Sequence, residues 1–133
     1  MLSLPQTAEY ALRAVNFIAD TPDGRPRRVG EIAAAIKVPH NYLSKTLHQL
    51  AQAGVVRSTR GPAGGFQLAR PASGLTLAEV IGPFMPVSGR PCVLGRTRCN
   101  DTTPCAAHHL WKPVGQQLEA FFAATTIAEL RGD

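Results

Sequence analysis

"HNYLSKTLHQLAQAGVVRSTRGPAGGFQLAR", residues 40–70, holds a helix, a stop and two short extended runs around a glycine-rich turn. Leu43, Leu47 and Leu50 recur at helical spacing and make a narrow apolar stripe. Asn41, Ser44, Lys45, His48 and Gln52 fall on the other face. Gly54 suits the position just past a helix end, where the backbone turns left-handed. Val55–Arg57 and Phe66–Leu68 read as strands, and "RGPAGG" (60–65) supplies the tight turn between them.

Upstream, "VGEIAAAIKV" (29–38) reads as a short helix with Ile32, Ala33 and Ile36 on one side. Pro39 is expected to end it, because the residue before a proline is pushed out of the helical region. Two short helices joined by a tight turn, the second polar on its outer face, form a helix-turn-helix candidate. A basic-tipped hairpin directly after the pair makes it a winged helix. Residues 5–20 read as a further helix, with Ala8, Ala11, Leu12, Val15, Ile18 and Ala19 at helical spacing and Pro5 in the first turn.

Charge supports the same module. Between Arg25 and Arg70 there are eight Lys/Arg and one acid, Glu31. That stretch carries +7 of a chain whose net charge is +5. Focused positive charge points to a polyanion such as duplex DNA, or else to a solvated basic face. Arg27 and Arg28 are phosphate candidates. At the start of the second helix of the pair, His40, Asn41, Tyr42, Ser44 and Lys45 are placed to reach base edges and phosphates in a major groove. His48 reads as a phosphate neighbour or a plain surface residue.

Downstream, "LTLAEVIGPF" (75–84) opens with a capping box formed by Thr76 and Glu79, and "TTIAEL" (125–130) repeats the pattern at Thr126 and Glu129. Residues 105–124 read as a long helix that Pro113 either kinks or divides. Its stripe of Leu110, Val114, Leu118 and Phe121 has little to bury against in so small a chain. A symmetric partner helix would cover it, so a homodimer is expected, with packing onto the N-terminal helix as the other option.

The 133 residues leave room for one core. No apolar run approaches the length of a membrane span, and the N-terminus lacks a signal-peptide pattern, so a cytoplasmic protein with no membrane partner is expected. All three cysteines and two of the four histidines lie in "CVLGRTRCNDTTPCAAHH" (92–109). In a reducing compartment, clustered cysteines are more often metal ligands than disulfides. Their Cys-x6-Cys-x5-Cys spacing does not match a structural zinc site, which favours closer pairs. Zinc, or three unliganded thiols, stay open as alternatives. Nothing resembles a substrate pocket or an acid–base pair, so neither an enzyme nor a small-molecule substrate is expected.

The chain resembles the Rrf2 family of bacterial winged-helix regulators, the group that contains the iron–sulfur regulator IscR and the nitric-oxide-responsive repressor NsrR. "AEYALRAV", "NYLSKTLHQLAQAGVV", "RGPAGGFQLAR", "LTLAEVI", the cysteine loop ending in His108, and the closing "TTIAEL" follow in the family's order. The resemblance implies a mainly α fold with a small β-hairpin: a winged helix-turn-helix domain (1–84), a cluster-binding loop (85–109), and a dimerisation helix with a C-terminal turn (110–133). It also implies a homodimer that reads a roughly palindromic operator. Arg60 at the wing tip would enter the minor groove, with Gly61, Gly64 and Gly65 letting the wing backbone approach the sugar-phosphate chain. The resemblance further implies an iron–sulfur cluster held by Cys92, Cys99 and Cys105. His108 is the first choice for fourth ligand to a 2Fe–2S centre. Glu9, which a partner subunit could supply, or an external ligand is the choice for a 4Fe–4S centre. The first cysteine gap is six residues, against five in IscR, which leaves the cluster type open. The alternative is a metal-free winged-helix repressor that senses redox state through its thiols.

Overall fold

The computed structural model describes residues 4–85, 92–96 and 100–130. The elements run α1 (Gln6–Ala19), α2 (Val29–Ile36), α3 (His40–Gln52), β1 (Val56–Thr59), β2 (Gly65–Leu68), a 3-10 turn (Ala72–Gly74), α4 (Leu77–Ile81), α5 (His108–Ala124) and α6 (Ile127–Leu130). The expected apolar stripes point inward. Ala8, Ala11, Val15 and Ile18 of α1, Ile32 and Ile36 of α2, and Leu43, Leu47 and Leu50 of α3 are all buried. With Val55, Phe66, Leu75 and Val80 they belong to one core, around which α1, α2 and α3 pack on one another. Removing such side chains from water is the main force holding these short helices, since none is long enough to persist alone.

The end of α2 differs from the sequence expectation. The helix stops at Ile36, ahead of Val38, because Lys37 takes a left-handed conformation (φ 57°, ψ 53°). That turn lets Val38 bury and sends its amide back to the Ala33 carbonyl at 3.1 Å. Pro39 begins α3 instead of ending α2, sitting at its N-cap with φ −56° and ψ 134°. The guanidinium of Arg13 donates to the Ile36 carbonyl, satisfying an end group of α2 and setting a cation at the negative end of its dipole. The start of α5 also lies later than expected, at His108, and the helix runs on through Pro113. Proline has no amide hydrogen, so the His109 carbonyl lacks its ordinary helical donor.

β1 and β2 pair antiparallel, Val56 opposite Leu68 and Thr59 opposite Gly65. The connector before α2 adds a third extended piece: Arg27 and Phe66 exchange amide–carbonyl bonds of 2.8 and 2.7 Å. Gly65, at φ 145°, makes this closeness possible, since a Cβ there would strike the Arg27 backbone. The two Thr-x-x-Glu segments, far apart in sequence, also meet. Thr76 and Thr126 form an antiparallel bridge, flanked by Leu77 N–H to Thr125 O at 2.9 Å and Ile127 N–H to Leu75 O at 2.8 Å. Ile127 is thereby fully buried among the head residues. The α5 helix leaves the cysteine loop and is stitched back to the head at its far end.

Candidate functional site

The helix-turn-helix and wing form one exposed basic face. His40, Asn41, Tyr42, Lys45 and His48 are exposed along α3, and Ser44 is half-buried beside them. Tyr42 meets Tyr10 edge-on at 6.3 Å, and Thr46, buried beneath, donates to the Tyr42 carbonyl at 3.0 Å. Arg60 and Gly61 are exposed at the wing tip, where the Gly64 amide closes the turn on the Gly61 carbonyl at 2.9 Å. A groove of about 460 Å³ runs between wing and helices, lined in part by Arg28, His40, Thr59 and Gly61.

Five of the eight Lys/Arg side chains between Arg25 and Arg70 have partners inside the molecule. Arg27 donates to Glu31 at 2.8 Å and to Thr21 at 3.3 Å, and its guanidinium stacks 4.4 Å from the centre of the Phe17 ring. Arg25 shares the same Glu31 carboxylate at 3.3 Å. The Arg27 hydrogen bond, helped by Arg25, holds the Glu31 carboxyl below the usual carboxylate range. Arg28 donates to the Pro62 carbonyl and so ties the wing turn to the start of α2. Arg57 donates to Gln67 at 3.4 Å, and Arg70 pairs with Glu79 at 2.9 Å. By contrast Lys37, Lys45 and Arg60 are exposed and have no intramolecular polar partner among the described residues. His48 rests edge-on against Phe66 at 6.0 Å. Gly64 and Gly65 also have internal duties: a Cβ at Gly64 would run into the Thr59 carbonyl, and one at Gly65 into Arg27.

The cysteine loop closes at the foot of α5. Cys92 starts a turn in which Gly95 N–H bonds the Cys92 carbonyl at 3.0 Å. Its Sγ lies 3.5 Å from Sγ of Cys105, which sits three residues before α5. Backbone N–H groups of Arg96, then of Leu94, together with the Cys105 thiol and the Arg96 charge, pull the Cys92 thiol below the ordinary cysteine range. A sulfur with thiolate character is the form that binds metals and attacks disulfides. Cys99 lies outside the described residues. His108 is buried, and its Nε2 lies 2.7 Å from Asp101 Oδ1, an oxygen that also takes Lys112 Nζ at 3.0 Å. Lys112 first and His108 second hold the Asp101 carboxyl low. Glu9 is exposed on the first turn of α1, 3.8 Å from Arg13.

Among the described residues no three His, Cys, Asp or Glu side chains gather as a metal site, and the two sulfurs of Cys92 and Cys105 are the donors that stand close together. Two thiolates about 2.3 Å from one tetrahedral ion stand about 3.8 Å apart, close to the Cys92–Cys105 separation. A ligating histidine ordinarily gives its other ring nitrogen to a carboxylate, the place Asp101 holds. Asp101, Lys112 and Arg96 were not singled out by the sequence. The one local signal was "CNDTTPC", whose Asn100 and Thr103 form a side-chain-to-backbone turn at 2.7 Å.

Along α5, Leu110, Val114, Leu118 and Phe121 are 70, 43, 43 and 44 % exposed, while Phe122 packs toward the head. No helix among the described residues is long and apolar enough to cross a membrane.

The family model described as Rrf2, iron-dependent transcriptional regulator, matches residues 4–133. A protein of Aquifex aeolicus (strain VF5) assigned as an HTH-type transcriptional regulator is 37% identical over 127 residues, covering 93% of this chain and 88% of its own. A Haemophilus influenzae protein with the same assignment is 31% identical and covers 97% of this chain and 86% of its own. Among solved structures, CymR, the global cysteine regulator of B. subtilis, superposes with a TM-score of 0.83 at 23% identity, covering 98% of this chain and 96% of its own. IscR of T. potens does so with a TM-score of 0.78 at 21% identity, covering 97% and 85%. Both share the winged-helix fold seen here.

Proposed function

Because the chain belongs to the Rrf2 family, DNA-binding transcriptional regulators and not enzymes, we propose that it is a homodimeric, cytoplasmic regulator whose operator binding answers to an iron–sulfur cluster on the cysteine loop. The observation that carries this reading is the Cys92–Cys105 sulfur pair, 3.5 Å apart at the foot of α5. Cys92, Cys99 and Cys105 supply the thiolates. His108 completes a 2Fe–2S centre, or Glu9 of either subunit a 4Fe–4S one. When bound, the cluster supplies a redox- and nitric-oxide-sensitive tether between the loop limbs. The residues of the chain do the rest. Asp101 joins the loop to α5 through His108 and Lys112, and α5 presents Leu110, Val114, Leu118 and Phe121 to its twin. Two α3 helices related by a twofold then read the halves of a palindromic site in the major groove. Lys45 and Arg60 contact phosphate and minor groove, and Asn41 with Tyr42 contacts base edges.

Oxygen-free purification tests this directly. Iron, acid-labile sulfide and a brown visible spectrum are expected, together with operator affinity that changes once the cluster is removed. A colourless protein without iron overturns the reading.

The same sulfur pair favours one other mode. Thiols at 3.5 Å need a shift of about 1.5 Å to reach the disulfide length of about 2.05 Å. A metal-free thiol switch would then act through the same loop. Mass analysis after mild oxidation distinguishes it: a loss of two hydrogens confined to Cys92 and Cys105 supports the switch.

A further inference from the structure

We propose that Lys37, in the turn between α2 and α3, is a contact to the DNA backbone: its ammonium meets a phosphate at the lip of the groove that α3 enters. This rests on the reading of α2 and α3 as a DNA-binding pair given above.

The turn fixes the backbone at this position and makes no use of the side chain. Lys37 is the one non-glycine residue at positive φ among the described residues, at φ 57° and ψ 53°. Its left-handed backbone sends the Lys37 amide to the Ala33 carbonyl, buries Val38 and lets Pro39 open α3. All of this needs the conformation, and none of it needs a lysine. Glycine adopts the left-handed region without a Cβ penalty and is the usual residue just past a helix end. A lysine there strains the folded chain, and strain of this kind collects at functional positions.

No task inside the head accounts for the charge. Lys37 is exposed and has no polar partner among the described residues. A cation at the last turn of a helix can serve its dipole, but at α2 the Arg13 guanidinium already takes the Ile36 carbonyl. Glu31, the one acid between Arg25 and Arg70, is shared by Arg25 and Arg27. The place in the fold supplies the partner. In a helix-turn-helix the first helix crosses the sugar-phosphate backbone, and the second enters the major groove with its N-terminal residues. The turn lies at the passage from one to the other, and Lys37 stands just ahead of His40, the first residue of α3. An ammonium there suits a phosphate oxygen and reads no sequence.

Three variants separate the charge from the backbone, with a short mixed-sequence DNA duplex as the probe. Lys37→Gly removes both the charge and the strain. It should melt about 2–5 °C higher than wild type. Its slope of log affinity against log salt should be shallower by about 1 for each head bound. Lys37→Gln removes the charge and keeps a side chain in the left-handed turn, so the slope should fall equally with no gain in melting temperature. Lys37→Arg keeps the charge and should keep the slope. A wild-type slope in both Lys37→Gly and Lys37→Gln overturns the proposal, whatever their melting temperatures. A Lys37→Gly protein that melts lower than wild type overturns the strain argument by which Lys37 was chosen. A wild-type protein that binds no duplex sinks the DNA reading itself, and Lys37 with it, before any variant is compared.

Discussion

The winged-helix head and the cysteine loop with α5 are held together by different physics. In the head, Ile32, Leu43, Leu47, Leu50, Val55 and Leu75 are fully buried in one shared core. Along α5 only His108 and Gly115 are buried, and four large apolar side chains face outward. The described part of the loop is joined by polar links: two sulfurs, the Asp101 bonds to His108 and Lys112, and Arg96 on Thr103. A core of packed side chains has one arrangement and resists change. A few hydrogen bonds and a pair of free thiols can be rearranged for little free energy. The head therefore keeps one shape, whereas the described part of the loop can change its shape at little cost. Between them runs α5, which starts at His108 and is followed by the stitch to the head at Thr125 and Ile127.

The contrast is broken hardest at Leu47. Leu47→Ala empties a fully buried site shared by the helices of the head. It should cost about 2–5 kcal/mol in chemical denaturation. Cys105→Ser, in the loop, should leave the denaturation midpoint of the reduced, metal-free protein within about 0.5 kcal/mol of wild type. Equal losses from both changes would mean that the loop is part of the core after all.

Next in size is the outer face of α5. Leu118→Asp places a charge in a stripe that we assign to the dimer, and light scattering should then report monomers. Operator affinity should fall more than tenfold, because two linked heads bind far better than one. Thermal stability of the head should barely move, as Leu118 is 43 % exposed in the single chain. A dimer that survives Leu118→Asp would place the subunit contact elsewhere.

Within the head, the arginines sharpen the comparison further. Arg60 is exposed and unpartnered among the described residues, whereas Arg27 is bound to Glu31, Thr21 and Phe17. Arg60→Ala should weaken operator binding roughly tenfold and lower the slope of log affinity against log salt by about 1. Arg27→Ala should leave that slope nearly unchanged and show itself in the melting temperature. A reversal of the two outcomes would mean that Arg27 leaves its pocket to meet phosphate.

The head was legible in the sequence because helical periodicity, a glycine-rich turn and clustered arginines are all local signals. The α3 stripe, the hairpin and the Thr76 capping box each rest on residues only a few positions apart. Lys37 escaped notice because a left-handed lysine carries no sequence mark as a glycine would. Charge counting marked Arg27 as a phosphate candidate and could not see that Glu31, Thr21 and Phe17 hold its guanidinium. Asp101 was hidden for the same reason: its partners His108 and Lys112 lie across the loop. The pairing of the two Thr-x-x-Glu segments is a fact of tertiary structure, and the sequence offered only their likeness.

The smallest effect tests the ion pair that keeps Arg27 inside. Glu31 has a folded-state pKa below its unfolded value, owing first to the Arg27 hydrogen bond. A depressed carboxyl favours the folded state at pH values above its unfolded pKa, and that contribution fades as pH falls through the folded one. Wild-type melting temperature should therefore decline below about pH 5. Glu31→Gln should melt slightly lower at pH 7, and the gap to wild type should narrow as the pH drops toward 3. Asp101, depressed by Lys112 and His108, acts in the same direction, so Glu31→Gln should flatten the decline only in part. High salt should shrink the difference at pH 7, since Glu31 and Arg25 are both well exposed to solvent. A gap that stays constant from pH 7 to 3 would show that the glutamate stabilises the head through packing and not through its charge.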